Sequence, residues 1–545
     1  MRSKKEYKKA ASYVRLLRSP KDSFFAISFA FLLCFFSMIG FFMDSVSMLS
    51  LNNLWGGVGI VFLLILLGAE LYLRLCDLLI NHISKERPED SPADCRLYLC
   101  YLIIIMLMWF PVLLAYYPGI FAYDVDEQIH QTIGMYNTHH PLIHTLLLQF
   151  FYYIIGGRLF ESYNKGMVCY TLFQMLILAM AIAYMHLFLY RMKMGRKTRI
   201  AILIFTGVFP VYSILSISMT KDIIFAAFVL VLFLCLCYWE VMPEFFEKKH
   251  LSFLYLFSII GTVLFRKNGI YTLILLVIVS FLLLRGEKRK KFLFLSILGI
   301  LLSVLLQGIL KYNLHATEGT LNEMLSVPYQ QLSYVYNAKQ DELSPNDIYE
   351  IEDLIPNVKN YNIHNADAVK GDGQAWGHKR RFVFLYLKMF VKYPSAYVSA
   401  FLYNTMGYWY LFDTSNARIY GYGLENRLGY LLTDTKPGYD IVHNSYFPMI
   451  ENLYENLFSM NEYQKFPLLF ILCSMALYFW LLVLCGFYAI NMKTKQAVIP
   501  ITFLLSFLIT ILVGPCTLIR YFFPVISCLP PLFMVTFKSV DKNIN

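Results

Sequence analysis

About a dozen apolar runs dominate this chain, and their length decides what it can fold into. Residues 24–43, 53–78, 97–116, 166–190, 199–217, 223–239, 251–265, 270–285, 292–311, 465–489, 497–514 and 518–537 each form a stretch poor in charge. A hydrocarbon core of roughly 30 Å needs about 20 apolar residues per helix. In lipid every backbone N–H and C=O must be bonded within its own segment, so runs of this kind become helices. Composition agrees, with 58% apolar and 17% aromatic residues among 545 and a mean hydropathy of +0.54. A soluble protein of this length is excluded, and the chain reads as an all-α polytopic membrane protein with about 12 transmembrane helices.

Orientation follows from loop charge, because translocated short loops avoid Lys and Arg. The arm MRSKKEYKKAASYVRLLRSPK, the loops RMKMGRKTR (191–199), RGEKRKK (285–291) and NMKTKQ (491–496), and the C-terminal KSVDKNIN are basic or follow from the count. All are expected in the cytoplasm. The run PLIHTLLLQFFYYIIGG (141–157) would break this alternation, so it is read as an interfacial or re-entrant outer helix, which its His144 and its short length allow, with a thirteenth span as the alternative. The aromatic stretch 380–412, interrupted by Pro394 and carrying Lys388 and Lys392, is read as interfacial for the same reason. No small-residue cleavage site follows the first apolar run, which is expected to stay as an anchor.

Three blocks result: a transmembrane part at 1–311 with a large outer loop at 117–165, an extracytoplasmic segment of mixed composition at 312–464 between the ninth and tenth helices, and three closing helices in 465–545. The net charge of +11 belongs mostly to the cytoplasmic loops and suits anionic membrane lipid rather than nucleic acid. No cysteine falls within 312–464, so a disulfide framework there is excluded. Cys235 and Cys237 form a CxC inside an apolar run and read as core packing.

Polar motifs sit at the ends of the apolar runs, on the side opposite the basic loops. YPGIFAYDVDEQ (117–128) offers Asp124 and Asp126, which point in different directions on either a strand or a helix. THHP (138–141) supplies His139 and His140, with His144 four residues after His140 and on the same face of a helix. Asp124, Asp126 and His140 together offer a set for a divalent cation such as Mg or Mn, although the spacing matches no established metal motif and no cofactor is required. MTKD (219–222) places Lys221 and Asp222 at the outer start of a helix with Thr220 as its N-cap. RKNG (266–269) adds Arg266, Lys267 and Asn268, and LIRYFFP (518–524) adds Arg520 and Tyr521. Cations on this face run against the topological bias; each alone is open to snorkelling to lipid phosphates, but three separate loops together favour a shared anionic ligand, which Arg binds by bidentate hydrogen bonds and Lys as a point charge. In VPYQQLSYV (327–335), Gln330 and Gln331 are amides suited to hydroxyl-rich ligands.

Together these motifs resemble an uncharacterised family of bacterial polytopic proteins that is itself similar to the GT-C superfamily of membrane glycosyltransferases. The resemblance implies a GT-C-like fold, a polyprenyl-phosphate sugar donor used on the extracytoplasmic face, and an acidic base in the first large outer loop, here Asp124 or Asp126. Two additional N-terminal helices precede that loop, a departure from the common arrangement. The expected acceptor is a cell-envelope glycan or lipid. In this reading Lys221, Arg266 and Arg520 contact the lipid phosphate, while His139 and His140 order the acceptor or the carboxylates. A lipid-linked glycan flippase or transporter is the main alternative, followed by a polysaccharide polymerase or ligase.

Overall fold

The computed structural model describes residues 19–44, 54–81, 94–121, 123–132, 135–242, 247–319, 321–371, 373–413, 441–459 and 462–538. The basic arm 1–18 and the C-terminal 539–545 lie outside them. The described residues are helical, with isolated bridges in place of any sheet. In chain order they form α1 (Pro20–Asp44), α2 (Leu54–Asn81), α3 (Asp94–Ala115), α4 (Tyr123–Ile129), α5 (Leu142–Gln149), α6 (Tyr163–Arg191), α7 (Arg196–Val208), α8 (Pro210–Ile217), α9 (Lys221–Val241), α10 (Lys249–Phe265), α11 (Asn268–Leu283) and α12 (Gly286–Asn313). The second half adds α13 (Ser326–Ala338), α14 (Pro345–Leu354), α15 (Lys379–Lys392), α16 (Pro394–Trp409), α17 (Met475–Met492), α18 (Val498–Leu512) and α19 (Ile519–Phe537).

Among the described residues, nine helices are long and apolar enough to cross a membrane, or ten if α7 and α8, bent by 44° at Phe209, form one span. The chain is therefore a multi-pass membrane protein. The sequence-based expectation of about twelve spans is higher because α10 and α11 are short, at 17 and 16 residues. Helix α2 has the length but carries Glu70, Arg74 and Asp77 in its second half, and Arg74 pairs with Glu70 at 2.9 Å. The nine include Leu142–Leu159, the run set aside above as interfacial. There α5 continues without a break into a π-wound segment, Phe150–Leu159, which lengthens the apolar helix beyond residue 157.

Helix α9 is the centre of the bundle: 89% of its apolar window is buried, against 22% for α1 and for α12. It is apolar all round, which suits a helix surrounded by other helices. Helices α6, α10, α18 and α19 pack about it, and Cys235 and Cys237 are buried within it.

Residues 321–397 build a separate outer core from Tyr329, Leu332, Ile351, Leu354, Leu385 and Met389, among others. Neither α15 nor α16 meets the length and composition of a span, yet α16 packs against α1 and α17, so the interfacial reading of 380–412 does not extend to it. Pro394 starts α16 with no N–H to lose there, and the helix then runs in among membrane helices. Trp409 lies 5.5 Å from Phe36 of α1 between ring centroids, and the Trp480 indole of α17 donates to the Trp409 carbonyl at 2.9 Å.

The hairpin between the π-wound segment and α6 requires glycine at its crossing. A Cβ on Gly166 would stand 2.6 Å from the Gly156 Cα and 2.7 Å from its nitrogen, both backbone atoms that cannot step aside. Gly166→Val is expected to cost about 1–3 kcal/mol through overpacking, read as a lowered thermal midpoint in detergent. Gly308→Ala, where nothing lies within 4 Å, should leave the midpoint at or above that of the parent.

Candidate functional site

The loop that follows α3 is held in place by its backbone. Pro118 and Gly119 end α3, and Gly119 adopts φ 129°, a conformation that side chains other than hydrogen disfavour. The Ile120 N–H then donates to the Ile217 carbonyl at 2.9 Å, and the Met219 N–H donates to the Ile120 carbonyl at 3.0 Å. This exchange locks the loop before α4 against the segment that leads into α9. Side chains of α6 reinforce it: Thr171 donates to the Pro118 carbonyl at 2.8 Å, and Gln174 donates to the Ser216 and Ser218 carbonyls at 2.9 and 2.8 Å. Asp124, at the start of α4, is thereby set beside Lys221, the first residue of α9.

Two ion networks meet at that point. In the first, the Lys221 ammonium donates to Asp124 Oδ2 at 2.7 Å and to His140 Nδ1 at 2.8 Å. Because an ammonium has no lone pair, Nδ1 must be the acceptor, so the His140 proton sits on Nε2. That nitrogen donates to Glu127 Oε2 at 3.2 Å. In the second, Arg266 donates to Asp222 Oδ1 at 2.7 Å, and Arg520 Nε lies 3.5 Å from Asp222 Oδ2. The Tyr521 ring stacks beneath Arg266, with the guanidinium carbon 4.1 Å from its centroid, a cation–π contact. Asp222 is fully buried and Arg520 nearly so, and carboxylates and guanidiniums at such depth require partners.

The electrostatics follow from this geometry. Burial alone would raise the Asp124 carboxyl, but the Lys221 and Arg520 charges and the Lys221 hydrogen bond outweigh it and hold the group well below the usual carboxylate range. Burial, followed by the Lys221 charge, pushes the His140 imidazole down to about 2. His140 is therefore neutral at physiological pH. Burial also lowers the Lys267 ammonium, against the opposing pull of Glu318.

The consecutive cations Arg266 and Lys267 part company. Arg266 turns to Asp222, whereas Lys267 lines a cavity of about 420 Å³ together with His140, Thr138, Lys311 and Glu318. The other walls are mostly apolar, from Val263 and Leu264 of α10, Ile270 of α11 and Val304 and Leu310 of α12, with Gln307 and Tyr271 among them. His140 thus belongs both to the first ion network and to the rim of an apolar cleft.

Other sequence-derived candidates are placed differently. Asn268 lies 3.4 Å from Thr510 of α18, outside both networks. Gln330 is buried in the outer core and donates to the Asn362 and Ile363 carbonyls; Gln331 donates to the Tyr397 carbonyl and accepts from the Tyr386 hydroxyl. Their amides tie the outer core together. Thr220 occupies the N-cap position of α9, but its hydroxyl makes no capping bond. The Asp126 side chain lies outside the described residues.

His140 and His144 do not act on a shared face, because Pro141 starts the helix between them and only His144 follows its turn. His144 donates through Nδ1 to Gln128 Oε1 at 2.6 Å, and its Nε2 meets the Tyr170 hydroxyl at 2.7 Å. Gln128 in turn donates to the Asp124 carbonyl at 2.8 Å. Gln128, Tyr170, Thr171 and Gln174 are absent from the sequence-derived candidates. A signal for them exists, since Tyr170, Thr171 and Gln174 stand at helical spacing inside an otherwise apolar run, where polar groups need partners.

A metal set can be tested on the same geometry. Ligand atoms of Glu127, His139 and His140 lie within 4.8 Å of one another, a different group from Asp124, Asp126 and His140. Coordination by His140 Nε2 would require its proton to move to Nδ1, where it would face the Lys221 ammonium. The residues present fit a hydrogen-bonded relay better than a resident cation.

Residues 130–545 match the model of a family of unknown function, DUF6020, and the chain belongs to that family. The matched span includes His139, His140, Lys221, Asp222, Arg266, Lys267 and Arg520, and begins after Asp124 and Glu127. Neither the curated proteins nor the solved structures give a match.

Removing Lys221 strands a largely buried carboxylate. Lys221→Met should destabilise the protein by roughly 3 kcal/mol, the low end for breaking a buried pair because both side chains keep some contact with water. The double variant Lys221→Met with Asp124→Asn should regain more than half of that loss, as measured by thermal unfolding in detergent. The pH dependence has a defined sign. An unfolded imidazole titrates near 6.5 and His140 near 2, so between these values the unfolded chain holds the extra proton. Stability falls as pH drops below about 6.5, and Asp124, whose folded value is depressed, adds a loss of the same sign at lower pH. The midpoint should decline from pH 7 to 4, with a shallower slope in His140→Gln.

Proposed function

We propose that this DUF6020 protein is an integral-membrane glycosyltransferase of GT-C-like architecture. It moves a sugar from a polyprenyl-phosphate donor to a cell-envelope glycan or lipid acceptor on the extracytoplasmic face. The reading takes about twelve spans with both termini cytoplasmic, so that the motif-bearing helix ends share the outer side. The observation that carries it is the meeting of two ion networks at Lys221 and Asp222. Lys221, Arg266 and Arg520 balance Asp124, Asp222 and Glu127, and the adjoining cleft adds Lys267 and Lys311 against Glu318, a concentration of cations that suits an anionic ligand. The adjoining apolar cleft, rimmed by His140 and Lys267, suits a ligand whose phosphate carries a hydrocarbon chain.

Held by Lys221, Asp124 is a poor base. An arriving phosphate competes for the ammonium, and as Lys221 turns to it the carboxylate regains basicity beside the acceptor hydroxyl. The acceptor proton passes to Asp124, and the acceptor oxygen bonds to the anomeric carbon. The bond from that carbon to the phosphate oxygen breaks, with its electron pair staying on the phosphate. Arg266 and Arg520 stabilise the developing charge. Single displacement inverts the anomeric centre. His140 and His139 order the acceptor against Glu127 and Lys221.

Purified protein offered a panel of polyprenyl-phosphate sugars with an acceptor extract should release the lipid phosphate. Asp124→Asn should lower turnover by about 10²–10⁴-fold, the usual worth of a general base. Absence of turnover in the parent protein, together with carrier movement across liposomes, would replace the transferase with a flippase. Undiminished turnover in Asp124→Asn would remove Asp124 as the base.

A further inference from the structure

Helix α15 (Lys379–Lys392) is apolar on two opposite faces. Phe382, Leu385 and Met389 are buried in the outer core. At 3.6 residues per turn, Val383, Phe384, Leu387, Phe390 and Val391 fall within one arc of about 120° on the far side. All five are exposed, Phe384 at 70% and Val391 at 79%. A helix facing water keeps its outer arc polar, and this one does not. Its 14 residues, KRRFVFLYLKMFVK, also carry five cations and no acid, which leaves it too short and too charged to span.

A wide apolar arc flanked by Lys and Arg is the composition of a helix lying in the plane of a membrane interface. The surroundings agree. Trp376, exposed just before the helix, carries the Lys379 ammonium 3.9 Å from its ring centroid, and interfacial Trp marks the headgroup level. After a single turn at Pro394, α16 enters the membrane bundle, and the Tyr403 hydroxyl reaches the Met43 carbonyl at the end of α1. Two copies of α15 set face to face would bring like charges together, so an anionic surface is the better complement.

Arg381 and Lys388 pair with Asp353 and Asp347 of the same domain; we propose that α15 docks the outer domain onto an anionic phospholipid leaflet, with its exposed arc among the acyl chains and Lys379 and Arg380 at the headgroup phosphates. The inference stands without the transferase reading. Its structural consequence reaches the ion networks, because the same domain is tied to the loop ahead of Arg520: the Ala366 N–H donates to the Pro515 carbonyl at 2.8 Å, and Asn404 donates to the Gly514 carbonyl at 3.0 Å.

The test uses the full-length protein in liposomes of phosphatidylglycerol and phosphatidylcholine, with a bimane probe on the thiol introduced by Leu387→Cys. Signal from the labelled parent protein is subtracted, since Cys95 and Cys100 are exposed. Lipids brominated in the acyl chain should quench the probe at least about twofold while aqueous iodide does not. The effect should weaken in pure phosphatidylcholine and in the Lys379→Gln, Arg380→Gln variant. Quenching by iodide alone would show an arc in water and overturn the proposal. In unlabelled Leu387→Cys protein treated with copper phenanthroline as oxidant, a disulfide between two copies that the parent protein does not form would make the arc a dimer surface instead, and equal quenching of the labelled protein in both lipids would remove the anionic preference.

Discussion

One end of the bundle depends on two adjacent, opposite charges at the start of its most buried helix. Lys221 and Asp222 are neighbours in the chain, and successive side chains on a helix point about 100° apart. Lys221 therefore reaches Asp124 and His140 in the segment between α3 and α5, while Asp222 reaches Arg266 and Arg520. A charge at this depth is tolerable only with a partner. Each half of the pair thus demands a counter-charge from a different part of the chain, and four distant segments are registered at one place.

Neutral hydrogen bonds hold the frame in which those charges meet. The bonds of Ile120 to Ile217 and Met219, with Gln174 and Thr171 bonding the same two segments from α6, fix the loop that carries Asp124. The route from Asp124 through Gln128 and His144 to Tyr170 continues it below. Such a network is worth having only when every member is satisfied, because a buried unpaired polar group costs more than its hydrogen bond returns.

Much of the fold is legible in the sequence because lipid imposes rules that act locally. Among the described residues each of the apolar runs is helical, with breaks at Phe209 in 199–217 and at Ser474 in 465–489, and the helix ends carry the motifs. The segments that sequence misjudges are those in which local rules conflict. Residues 141–157 look too short, but π-winding extends the helix to Leu159. Gln330 and Gln331 look like ligand amides, but their partners are carbonyls more than thirty residues away. In the site, the type of each ionisable residue is informative, whereas its direction is not. Nothing in RKNG says that Arg266 turns toward Asp222 and Lys267 toward the cleft, or that Pro141 separates His140 from His144.

By itself the sequence determined that this chain lies in a membrane as helices, and that acids, histidines and cations gather at the helix ends. Those properties follow from run length, charge and backbone hydrogen bonding, each of which is read within about 20 residues. The tertiary structure alone decided which of those residues meet. Asp124 finds Lys221 because Ile120 bonds to Ile217 and Met219, and Asp222 finds two arginines because α10 and α19 pack against α9. These contacts join residues from 44 to nearly 300 positions apart in the chain, and their geometry is set by close packing rather than by any local pattern.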